Sequence, residues 1–72
     1  MNLTSMPSTP SGWRDQADQH SRLAKTFGSA ALGTAGAETS RLMRLHDAHY
    51  EIAMQCRTIA AALDDHLTEG AA

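Results

Sequence analysis

The sequence lacks most of the devices by which small proteins hold a fold. It has 72 residues and a single cysteine, Cys56. An intrachain disulfide, a Cys-x-x-Cys zinc finger and an all-cysteine iron–sulfur site are therefore excluded. Below roughly 70–80 residues one apolar core rarely contributes more than about 3–5 kcal/mol. What remains is self-association, another protein, or a histidine-based metal site. A basic surplus is also missing. Six Lys and Arg face eight Asp and Glu, a net charge of −2, which argues against a dedicated nucleic-acid binder. No stretch approaches the roughly 18 apolar residues of a membrane span. The beginning, MNLTSMPSTPSGW, lacks the basic and apolar regions of a signal peptide, and a cytoplasmic location is expected. Five of the six basic residues are Arg and alanine is frequent, a bias suited to a high-GC bacterial or phage genome.

What is present is helical periodicity. Residues 1–10 are polar and short-sided and read as a flexible arm, with Leu3 and Met6 as apolar anchors. Thr9-Pro10 or Ser11 offers a helix start, with Asp15 and Asp18 towards the positive end of the dipole. From there Trp13, Ala17, His20, Ala24, Phe27 and Ala31 recur in steps of four and three, one face of a helix over about 11–32. Leu23 widens this face. Arg14, Asp18 and Arg22 occupy the solvated side at i,i+4 spacing. GTAG, residues 33–36, is a turn too short for anything but antiparallel helices. Thr34 is expected to cap the second helix.

The second helix is expected over about 37–67. Leu42, Leu45, His49, Ile52, Cys56, Ile59, Leu63 and His66 follow alternating steps of three and four, a heptad seam. Gly70 reads as a stop and residues 69–72 as a disordered tail. The fold class is thus all-α: an antiparallel helical hairpin over 11–68, completed to a four-helix bundle by dimerisation or by a partner protein. Levelling the hairpin about its turn sets Phe27 beside Leu42, His20 beside His49 and Trp13 beside Cys56. Ile59, Leu63 and Leu67 then extend beyond the first helix.

The two-helix plan resembles the small secreted ESX-type proteins of actinobacteria, in architecture alone. Their Trp-x-Gly turn is absent from GTAG. Their Tyr-x-x-x-Asp/Glu signal is absent too, since Met54 stands fourth after Tyr50. No family is assigned.

Candidate chemistry is sparse. His20, His46 and His49 are the possible ligands of a transition metal or haem. However, neither Glu-x-x-His nor His-Glu-x-x-His is present, so a packed histidine pair that sets register is the favoured reading. Cys56 reads as a small buried hydrophobe, with an interchain disulfide as the alternative. Asp47 and Glu51 read as a solvated face. Arg22, Lys25, Arg41 and Arg44 form a basic cluster near the turn, the only support for a DNA-binding regulator. Trp13 is either a cap on the bundle or a binding hot spot.

The function expected is therefore non-enzymatic and needs no cofactor. It is protein–protein interaction, as an adaptor, inhibitor, antitoxin-like protein or complex subunit. The partner is a second copy or another protein, met through Trp13, Leu42, Leu45, Ile52, Cys56, Ile59, Leu63 and Leu67. On this seam Ile52→Asp would destabilise the hairpin strongly and Glu51→Ala little.

Overall fold

A computed structural model describes residues 7–71, with side chains described to Leu67. Two helices pack along their length: α1, Pro10–Ala31, and α2, Ala37–Ala71. The chain is an all-α helical hairpin. The expected anchors Leu3 and Met6 lie outside the described residues.

Local chemistry explains the ends. Thr9 is the N-cap of α1, and its Oγ1 accepts from the Gly12 amide at 3.1 Å. Pro10 takes the first helical position, where a missing N–H costs nothing. The first turn holds no acidic residue, so Asp15 and Asp18 sit too far along α1 to serve its dipole. In the turn, Gly36 has φ +66°, the left-handed region that favours glycine. Thr34 does not cap α2 as expected. Its hydroxyl donates to the Ala31 carbonyl at 3.0 Å and accepts from the Thr39 hydroxyl at 2.8 Å. It thereby ties the end of α1 to the first turn of α2, sharing the Ala31 carbonyl with the Thr34 backbone N–H. At the other end α2 runs through Gly70 to Ala71, past the expected stop. Glycine weakens a helix by about 1 kcal/mol but ends it only where the chain turns left-handed.

The helices meet through small residues. Ala17, Ala24 and Ala31 of α1 are buried, as are Ala53, Cys56 and Ala60 of α2. Trp13 packs against the cluster of Ala17, Ala53 and Cys56. Among the described residues no large side chain is fully buried. The contact distance of two helices is set by the side chains between them, and alanine allows the close end of the usual 8–10 Å range.

The inward row of α1 is the one expected from sequence. The inward row of α2 is not. It runs Leu42, His46, His49, Ala53, Cys56, Ala60 and Leu63, while Leu45, Ile52 and Ile59 remain 37–38% exposed and His66 is exposed. The expected heptad is displaced because an alanine row on α1 accepts small residues opposite it, whatever the hydrophobicity of their neighbours. Coverage also differs. Arg14 donates to Asp64 and Ala60 is 1% exposed, so the start of α1 covers α2 as far as Asp64. Ile59 and Leu63 do not lie beyond α1; Leu67 does, at 57% exposure.

Two mutational outcomes follow. Ala53→Asp should abolish the two-helix contact, since it buries an unpaired charge, whereas Ile52→Asp in the dilute chain should change the unfolding midpoint little. Equal losses in circular dichroism would contradict this assignment of faces. Gly36→Ala should cost about 1–2 kcal/mol for the left-handed backbone. Gly33→Ala, which meets only the Ala30 carbonyl at 3.7 Å, should be tolerated in the same urea titration.

Candidate functional site

Halfway along the hairpin the alanine contact is interrupted by a polar layer. His20 and His49, half-buried on facing helices, approach with Nδ1 to Nδ1 at 2.9 Å. In such a hydrogen bond one ring nitrogen donates and the other accepts. Their ring centroids lie 5.1 Å apart, and Phe27 stacks on the other side of His49 at 5.5 Å. The expected levelling of His20 with His49 is met.

His46 does not join them. Its Nδ1 lies 2.9 Å from Asp47 Oδ1, and its ring stacks on Tyr50 at 6.2 Å. It lies over Gly28, where an added Cβ would come within 3.0 Å of His46 Cδ2. The glycine at the end of α1 thus makes room for the imidazole. Among the described residues no three His, Cys, Asp or Glu side chains converge as a metal site. One hairpin brings two of the three candidate ligands together. Cys56 is a free, buried thiol between the helices, turned away from any outside surface.

The second feature is a difference between the two broad faces of the ribbon. On one face the helices are bridged by polar groups. Arg14 pairs with Asp64. Arg57 donates to Ser21 Oγ at 2.9 Å and stands 3.7 Å from Asp18. Arg14 and Asp18 are therefore engaged across the hairpin, not only along α1. Exposed pairs of this kind contribute about 0.2–1 kcal/mol each. Successive helix positions turn by 100°, so Leu23 lies opposite Arg14 around α1. By the same rule Ile52 and Ile59 lie about 140° from Arg57 and Asp64 around α2. These residues, with Leu45, consequently share the other broad face.

That face carries an aliphatic row, with Arg41 at its turn end. Leu23 is 42% exposed, and Leu45, Ile52 and Ile59 run beside it at seven-residue spacing, with Ala48 between the first two and Ala62 after the last. Of the expected interface residues, Leu45, Ile52, Ile59 and Leu67 are exposed, Leu42, Leu63 and Trp13 are half-buried, and Cys56 is buried. Leu23 belongs with the interface candidates. Its place was legible in its half-turn offset from Arg14 and Asp18. Among the described residues no helix is long and apolar enough to cross a membrane.

A double-mutant cycle tests the histidine layer. His20→Leu alone should cost about 1–2 kcal/mol, because it strands the His49 nitrogen; adding His49→Leu should recover part of the loss. Strict additivity of the two substitutions would show that the rings do not depend on each other. Comparison with family models, with curated proteins and with solved structures finds no match.

Proposed function

We propose that this chain is a small, non-enzymatic protein–protein interaction module whose apolar broad face docks on another protein surface. One observation carries the reading. Among the described residues no large apolar side chain is fully buried, yet Leu23, Leu45, Ile52 and Ile59 stand exposed together on one broad face. A ribbon of two helices is one layer, and a folded domain needs at least two. A second helical layer over this face would supply the missing burial, at about 25 cal/mol per Å² of apolar surface removed from water. Residues grouped in this way suit an adaptor, an inhibitor, an antitoxin-like protein or a subunit of a complex. Leu67, beyond the end of α1, extends the same demand to the open end of the hairpin.

A second reading has one observation in its favour. His20 and His49 converge within hydrogen-bond distance, and a transition metal could replace the proton between them if a second hairpin supplied the remaining ligands. Zinc would then raise the unfolding midpoint, and an unchanged midpoint in excess zinc would remove this reading.

The leading reading makes the isolated chain marginal. Dilute protein should unfold at or below the range of ordinary single domains, about 45–65 °C, and gain stability when its face is covered. A cooperative transition far above that range, independent of chain concentration, would show that the hairpin needs no second surface.

A further inference from the structure

The apolar face also has features that bear on what covers it. We infer that it is filled by a second copy of this chain, laid antiparallel so that the turn of one hairpin lies beside the open end of the other. The inference rests on the interaction reading above and adds the identity and orientation of the occupant.

The first argument is the symmetry of the row. Leu45 and Ile59 are equally spaced about Ile52, and Ile52 lies near the middle of α2, Ala37–Ala71. A two-fold axis through Ile52 sets Leu45 of one copy beside Ile59 of the other and Ile52 beside itself. Nearly the whole of α2 is then overlapped. A surface that complements itself by rotation is what a closed two-fold dimer requires. The hairpin extends 54 × 23 × 13 Å, so its broad face is large enough for the roughly 800 Å² per partner of a standard interface.

The second argument is charge. The histidine layer divides the hairpin into halves of opposite sign. On the turn side Arg22, Arg41 and Arg44, all within about 100° of the apolar row, outnumber Glu38. On the open side Asp15 and Glu51 stand at the edge of this face, while Arg14, Asp18, Arg57 and Asp64 are paired with one another on the far face. Antiparallel copies place each basic end over an acidic one. Parallel copies would bring like ends together, a repulsion that acts over the Debye length of about 8–10 Å at ordinary salt. Electrostatics thus selects the orientation, and the apolar row supplies the contact.

The test uses the full chain. Native mass spectrometry and sedimentation at micromolar concentration should report a dimer. Ile52→Lys, which sets two like charges on the axis, should weaken it at least tenfold. Orientation is read by cross-linking a mixture of two single-cysteine chains with a short bis-maleimide. Both carry Cys56→Ala; one has Ala35→Cys at the turn, the other His66→Cys at the open end. Mass identifies the products, and turn-to-open cross-links should dominate. Predominant turn-to-turn cross-links would overturn the antiparallel arrangement. A monomer of low thermal stability would overturn the inference while leaving the interaction module standing. A monomer of high, concentration-independent stability would remove both.

Discussion

The structure depends on how closely its two helices approach. Ala17, Ala24 and Ala31 on α1 meet Ala53, Cys56 and Ala60 on α2, and among the described residues no large side chain is fully buried. Alanine has little side-chain entropy to lose on burial and favours the helical state. A contact built from it has little internal cost, but each alanine also offers few atoms to remove from water. The same choice that lets the helices approach therefore leaves the large apolar residues outside the contact. The two-sided ribbon, the displayed leucine and isoleucines, and the need for a second layer all follow from this narrow gap.

Against that background the histidine layer has a distinct physical role. An alanine contact is permissive in direction, because dispersion attraction is not directional and one alanine resembles the next. A hydrogen bond between two imidazoles is directional. Placed midway, with Phe27 stacked behind it, it ties one level of α1 to one level of α2. The cross-helix pairs at the open end, Arg14 with Asp64 and Arg57 with Ser21, act in the same sense on one face only. Cross-helix polar pairing thus lies on one side of the ribbon, which also exposes Met43, Tyr50 and Met54, and the leucine–isoleucine row lies on the other.

Much of this was legible in the chain. The inward face of α1 follows from its steps of four and three. The GTAG break dictates antiparallel helices, and counting outward from it sets His20 level with His49. The face of α2 was harder, because two heptad rows interleave there and share Leu42, His49, Cys56 and Leu63. One completes itself with Leu45, Ile52 and Ile59, the other with His46, Ala53 and Ala60. Hydrophobicity favours the first row. The second is used because the facing helix offers alanines at the same seven-residue spacing, and shape complementarity at close range outweighs hydrophobicity. The clue lay in comparing the two helices, not in reading either alone. The two-faced character of the ribbon needed the cross-helix ion pairs, which single-helix periodicity cannot supply.

The position of Cys56 gives the molecule a property of another kind. Its sulfur lies in a gap sized for methyl groups, between Ala17, Ala53 and Trp13. A thiol reacts as its thiolate and only where a reagent can reach it. Cys56 is 5% exposed while the helices are closed, so reagents reach its sulfur poorly. Modification of this sulfur is therefore gated by the parting of the helices, an opening whose frequency depends on whatever covers the opposite face. The single thiol acts as a built-in clock: its rate of reaction reports how often the hairpin opens, and a bound partner would slow it without touching the sulfur.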